Sequence, residues 1–98
     1  MAAQLTLHWT PIAISHLHAV HEFIAEDNAV AAELLIERIL FAVEKLTQYP
    51  EIGRNGRVNG TRELVIAGTS FVVAYRVRQR QIDVVAVLHA ARKWPEEF

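Results

Sequence analysis

Residues 61–89 read TRELVIAGTSFVVAYRVRQRQIDVVAVLH, and this stretch decides the fold. Phe71, Val73, Tyr75 and Val77 alternate with Val72, Ala74 and Arg76, the period-two pattern of a strand with one strongly apolar face and one mixed face. Turn signals interrupt the pattern twice, at Ala67 to Ser70 around Gly68 and at Arg78 to Gln81. Three strands are therefore expected, Thr61 to Ile66, Phe71 to Val77 and Ile82 to His89, joined as an antiparallel meander. Upstream, Pro50 to Gly60 places Gly53, Gly56 and Gly60 among polar residues and reads as a loop.

Before that loop the apolar period changes from two to between three and four. Ala32, Leu35, Ile39, Val43 and Leu46 form one helical stripe, with Asn28 as its N-cap. Tyr49 precedes Pro50, which disfavours helical geometry and stops this helix there. An earlier helix carries Ala13, Leu17, Val20 and Ile24, begins with Thr10 as cap and Pro11 as first helical residue, and ends near Asp27. The two helices form an antiparallel hairpin. Leu5, Leu7 and Trp9 alternate with Thr6 and His8 as a short strand in front of them. The fold class is α+β, ordered β-α-α-β-β-β, with the hairpin packed on one face of a small, mainly antiparallel sheet and the other face left partly open.

A chain of 98 residues fits one domain, residues 1–98, with a core that needs no metal or disulfide. The absence of cysteine excludes disulfides, thiolate nucleophiles and cysteine-ligated zinc, which suits a reducing cytoplasm. Met1 to Thr10 has no basic residue before an apolar run, so no secretory leader is expected. The most apolar stretch, Ala29 to Val43, is broken by Glu33, Glu37 and Arg38, so no membrane association is expected either.

The net charge of -1 hides an asymmetry. Up to Tyr49 two basic residues face six acidic ones, a net of -4; beyond it eight basic residues face five acidic ones, a net of +3. An anionic partner would meet the second half.

Several familiar chemistries find little support. His16, His18 and His21 lie on the first helix, and residues 18 and 21 share a face, but the spacing supplies neither a third metal ligand nor a supporting shell. No metal or cofactor is expected. Gly53-Arg54-Asn55-Gly56-Arg57 lacks the Lys-Ser/Thr ending and the preceding strand of a nucleotide phosphate loop. Ser15 and Ser70 are the only serines, and neither sits in a visible triad.

The stronger constellation is Arg62, Arg76, His89 and Arg92, on three strands and the segment after the last. If these residues line one concave face, guanidinium groups would hold phosphate oxygens and a histidine, titrating near neutrality, would transfer protons. Proton transfer together with positive charge is what phosphodiester cleavage by 2'-hydroxyl attack requires. The alternative is structural: Arg62 pairs with Glu63 or another carboxylate, and His89 caps the core.

Four stretches together, LTQYPEIGR at 46–54, Thr61-Arg62-Glu63-Leu64, GTSFVVAYRV at 68–77 and Val87-Leu88-His89-Ala90-Ala91-Arg92, resemble the RelE/ParE superfamily of bacterial toxins from type II toxin-antitoxin modules. The resemblance spans nearly the whole chain and agrees with the order of elements read above. It implies a small cytoplasmic toxin inactivated by a cognate antitoxin, whose C-terminal segment wraps around it to give a hetero-oligomer. The superfamily contains two activities. RelE-like members cleave messenger RNA on the ribosome without metal, and here Arg62, Arg76, His89 and Arg92 would be their catalytic residues. ParE-like members poison DNA gyrase.

By resemblance, Tyr49 to Gly53 and Val87 to His89 look more like the ParE branch, and the lack of a net positive charge agrees. The Lys93-Trp94-Pro95 continuation departs from that branch, whose chains often turn acidic after the arginine. The expected function is thus a growth-arresting toxin acting on DNA gyrase, with a ribosome-dependent RNase as the alternative and an inactive homologue serving as a binding module as a further one.

Overall fold

The computed structural model describes residues 5–98. The part of the leader reading that rests on Met1 to Gln4 lies outside them. A short strand β1 (Thr6–Trp9) leads into helices α1 (Pro11–Ala25) and α2 (Ala29–Glu44), and a single 3-10 turn (Lys45–Thr47) follows. Strands β2 (Arg54–Asn55), β3 (Arg62–Val65), β4 (Phe71–Arg78) and β5 (Gln81–His89) complete one five-stranded sheet in the order β1-β5-β4-β3-β2. β1 runs parallel to β5, and every other pairing is antiparallel. No helix among the described residues is long and apolar enough to cross a membrane.

Local chemistry explains the boundaries. The Thr10 hydroxyl accepts from the Ala13 N–H and the Asn28 side chain accepts from the Ala31 N–H, so both helices start on caps that satisfy an otherwise unpaired donor. α1 stops at Ala25, two residues short of the expected end, because Glu26 and Asp27 form the tight turn between the helices. The α2 geometry ends at Glu44 rather than near Tyr49. The chain tightens there into the 3-10 turn, where the Thr47 hydroxyl donates to the Glu44 carbonyl at 2.8 Å. The expected 50–60 loop contains β2, a two-residue edge strand paired to β3.

The hairpin packs on one face of the sheet. Ala13, Ile39, Val43 and Leu46 meet Val73, Tyr75, Ile82, Val84 and Val87 there, all buried, with Leu17 and Leu35 packed against them half-buried. β5 then breaks its alternation. Ala74 pairs with Ala86 while Tyr75 pairs with Val84, so Val85 is the extra residue of a bulge. Val84 and Val87 consequently face the helices, and Val85 and Ala86 face away.

The second face is less open than the sequence suggested. Ala74, Val85 and Ala86 are buried beneath Trp94 and Phe98, because the segment after β5 folds back across the sheet.

Candidate functional site

The second sheet face carries most of the charge that the chain organises. Register places Arg54 and Ala74 on either side of Glu63, so the three share this face. Glu63 is 2% exposed. Its Oε1 accepts from Arg54 Nη2 at 2.9 Å and Arg54 Nε at 3.2 Å, and its Oε2 from the Arg57 backbone N–H at 2.7 Å and Arg57 Nε at 3.1 Å. Burial alone would raise the Glu63 pKa. The Arg57 N–H and guanidinium, then Arg54, outweigh it and hold the carboxyl below its ordinary value.

Arg57 reaches further. Its Nη1 donates to the Ala90 carbonyl at 3.2 Å, and its guanidinium lies 3.7 Å from the centroid of the Trp94 ring. Asp83, on the same face toward β1, accepts from Gln81 at 2.6 Å and pairs with Arg78 at 2.6 Å and His8 at 3.3 Å. The Gln81 hydrogen bond, with His8 and Arg78 behind it, lowers the Asp83 pKa against the opposing effect of burial.

On the helix face, Tyr75 ties the loop after α2 to the sheet. Its hydroxyl donates to the Pro50 carbonyl at 2.8 Å and accepts from the Gly53 N–H at 2.9 Å. Burial raises its pKa, against smaller lowering contributions from Gly53 and Arg62. A Cβ on Gly53 would lie 2.6 Å from the Tyr75 Oη and 2.9 Å from the Glu63 carbonyl oxygen, so only glycine fits. Arg62, directly opposite Tyr75, donates from Nη1 to the carbonyls of Gly53 at 2.7 Å and Glu51 at 3.3 Å.

The four residues expected to line one concave face are not brought together. Arg62 is on the helix face, tied to loop carbonyls rather than to Glu63. Arg76, opposite Asp83, is on the second face. His89 is opposite Phe71, five positions along β4 from Arg76 or roughly 17 Å at the usual rise per residue. The reason is the pleat: Arg62 and Arg76 sit at positions of opposite parity, so their side chains leave the sheet on opposite sides.

Only His89 and Arg92 remain neighbours, with the Arg92 N–H bonded to the His89 carbonyl at 3.1 Å. His89 is exposed rather than capping the core. It meets the Phe71 ring edge-on with centroids 5.6 Å apart, and its Nδ1 accepts from the Ala91 N–H at 3.2 Å.

A second histidine joins this end of the molecule. Beyond β1 the β5 edge has no strand partner among the described residues, and His16 Nδ1 on α1 accepts the Val87 N–H at 3.2 Å. Burial and then the Arg92 charge lower the His16 pKa, which keeps that acceptor unprotonated.

Of the other helix histidines, His21 bonds Glu33 at 2.8 Å and His18 is exposed beside it. Among the described residues no group of three or more metal-ligating side chains is gathered.

Residues 7–94 match the family model of the ParE toxin of type II toxin-antitoxin systems. A relative from Sinorhizobium fredii named as toxin Y4kP is 37% identical over 90 residues, covering 92% of this chain and 93% of the relative. Toxin RelE2 of Caulobacter vibrioides is 33% identical over 84 residues, covering 86% and 93%. Among solved structures, a chain of the chromosomal ParDE system from P. aeruginosa superposes with a TM-score of 0.80 at 23% identity, covering 90% of this chain and 98% of that one. A chain of the RelBE2 toxin-antitoxin complex from Mycobacterium tuberculosis gives 0.60 at 21% identity, covering 94% and 98%. These two likenesses concern the fold, two helices on a mixed five-stranded sheet. With the match over residues 7–94 and the two sequence relatives, they place the chain in the ParE toxin family of type II toxin-antitoxin systems, within the RelE/ParE superfamily.

Proposed function

We propose that this toxin arrests bacterial growth by poisoning DNA gyrase. The observation that carries the choice is the separation of Arg62, Arg76 and His89: an RNase needs cations and a proton-transfer group around one phosphate, and the pleat sends these side chains to different faces and ends of the sheet. The match to the ParE family over residues 7–94 supports the same reading. Purified toxin is expected to block supercoiling and to trap cleaved DNA with gyrase, and its expression to induce the DNA-damage response before translation falls. Unchanged supercoiling at high toxin excess would refute the proposal.

The same function calls for an antitoxin in the cytoplasm, and the outer face of the helix hairpin is the surface suited to receive it. Phe23, Val30, Leu34 and Phe41 are each at least 60% exposed there. On α2, residues 30, 34 and 41 fall on one stripe, the pattern an amphipathic partner segment covers. Such a partner gives a hetero-oligomer.

One observation favours the RNase alternative, the adjacency of His89 and Arg92. It predicts that His89→Gln and Arg92→Ala abolish message cleavage while leaving folding and antitoxin binding intact. Growth left unchanged by a folded chain would instead indicate a homologue that serves only as a binding module.

A further inference from the structure

The end of the sheet where β4 turns into β5 is basic, and the ion pairs around Glu63 use none of it. The chain there reads Arg76-Val77-Arg78-Gln79-Arg80-Gln81. Arg78 pairs with Gln81 across the strands, so Gln79 and Arg80 form a two-residue tip. Gln79 takes φ +50, a conformation that glycine ordinarily supplies at this turn position, so the tip carries a long polar side chain where the backbone favours none. β1 braces the tip from the side: Thr6 pairs with Gln81, and its N–H donates to the Arg80 carbonyl at 2.8 Å.

The arginines on this hairpin are largely unspent. Arg80 is exposed, and among the described residues it makes no ion pair within 4.0 Å. Arg76 is half-buried and equally unpaired; its Nε lies 3.9 Å from the place a Gly60 Cβ would take, so it rests over the turn from Val58 to Thr61. Arg78 is held by Asp83 at 2.6 Å. An open cleft lies on each side of this ridge, one toward β1 between Thr6, Arg80 and Gln81, the other toward β3 between Asn55, Asn59 and Arg62.

We propose that this end of the sheet grips the phosphodiester backbone of duplex DNA, with Arg76, Arg78 and Arg80 as its phosphate contacts. Arg76 and Arg78 leave the same face two residues apart, about 6.7 Å along the strand, which makes a row of guanidinium groups rather than a cage around one small anion. Asp83, and Glu51 whose carbonyl accepts from Arg62, oppose four arginines here, so the excess charge is positive.

Neither cleft is lined by an aromatic side chain, the platform on which unpaired bases stack, and this selects a double strand over a single one. Val77, 39% exposed, is the large apolar side chain presented here, too little to anchor a peptide. Arginine, asparagine, glutamine and threonine are instead the ordinary donors to phosphate and sugar oxygens. The inference deepens the gyrase reading and rests on it for its biological role alone, since a poison with its own hold on DNA engages the enzyme and its substrate together.

The test titrates the purified full chain into a fluorescein-labelled mixed-sequence duplex of about 20 base pairs, followed by anisotropy between about 20 and about 200 mM salt. Each neutralised phosphate contributes about -0.9 to the slope of log K against log salt, so three arginines set a slope of about -2 to -3. Arg76→Gln and Arg80→Gln are each expected to weaken binding several-fold and to make the slope shallower by about 1. Arg38→Gln removes the same charge at the opposite end of the sheet, where Arg38 Nη1 donates to the Ala67 carbonyl, and should leave both quantities unchanged.

A slope shallower than about -1, no saturation at low salt below about 100 μM protein, or an equal loss in Arg38→Gln would overturn the proposal. So would binding to single-stranded DNA or duplex RNA as tight as to duplex DNA, or displacement by poly-glutamate as effective as by unlabelled DNA of equal charge. Urea midpoints check folding, and Arg80→Gln, exposed at the tip, decides the matter if Arg76→Gln does not fold. A chain that binds DNA in this way without blocking supercoiling would refute the gyrase reading alone; a chain that blocks supercoiling without binding DNA would refute this one alone.

Discussion

Replacing Glu63 by glutamine preserves its shape and removes its charge, which makes it the cleanest perturbation of the second face. The carboxylate is 2% exposed and is contacted by donors from both Arg54 and Arg57. Removing one partner of a buried ion pair costs about 3–5 kcal/mol, because the remaining charge is left uncompensated. Here the arginines are 57% and 39% exposed, so water recovers part of their solvation and the loss moves toward the range of hydrogen bonds to charged groups, about 2–3 kcal/mol. Urea unfolding at pH 7 measures it.

The pH dependence supplies the control. The folded-state pKa of Glu63 is depressed, so its contribution is fully present above the ordinary value of 4.5 and is lost as pH falls through the lower folded value. The difference between wild type and Glu63→Gln, measured at pH 7 and again in acid well below pH 4.5, should therefore shrink toward zero as the carboxyl becomes protonated in both states. A loss below about 1 kcal/mol at pH 7, or a loss of the same size at both pH values, would refute an electrostatic role and leave only packing.

Ile39→Ala should cost about 2–5 kcal/mol, since Ile39 is wholly buried between the hairpin and the sheet, whereas Leu17→Ala should cost less because Leu17 is half-buried; chemical denaturation of the two variants checks the order. Tyr75→Phe leaves the Gly53 N–H and the Pro50 carbonyl without their partner and should cost about 1–3 kcal/mol, with faster amide exchange at Gly53 as its local signature. His16 has a lowered folded pKa, so the stability it supplies is present above the ordinary value near 6.5 and declines as pH falls through the folded one; a urea midpoint that drops from pH 7.5 to 5 in wild type and flattens in His16→Asn is the expected result.

What the sequence shows well are the features that repeat along it. Ile39, Val43 and Leu46 announce their helical face, and Val73 and Tyr75 their strand face, because burial on one side imposes a period that a single sequence displays. The Val85 bulge is not legible in this way. One extra residue among Val84-Val85-Ala86-Val87, all apolar, leaves the alternation without a visible phase, and the parity beyond it is set by pairing with β4. The same lack of periodicity hides the fold-back of Trp94 and Phe98.

The expected convergence of Arg62, Arg76, His89 and Arg92 on one face is absent for a related reason. Arg62 and Arg76 look equivalent as basic residues on neighbouring strands, and only the register, with Arg62 opposite Tyr75 and Arg76 opposite Asp83, separates them by face. Glu63, Arg54 and Arg57 were visible as charges, but nothing local signals that two arginines from a glycine-containing loop converge on one buried carboxylate.

Several residues that carried the family resemblance are bound to one another. Pro50 and Gly53 meet the Tyr75 hydroxyl, Arg54 meets Glu63, and Arg62 meets the Gly53 carbonyl, while the Thr61 hydroxyl donates to Val58. These contacts join the loop after α2 to β3 and β4, and they would be needed whatever the toxin acts on. A scaffold held this way leaves the exposed side chains free to vary without loss of the fold, which is how one architecture can host different activities. On the proposed function, target choice is expected to lie with the groups the scaffold does not consume: Arg76, which has no side-chain partner among the described residues, and His89 and Arg92 at the end of β5. Variants there should change toxicity while leaving the denaturation midpoint close to wild type, and variants of Tyr75 or Glu63 should lose both together.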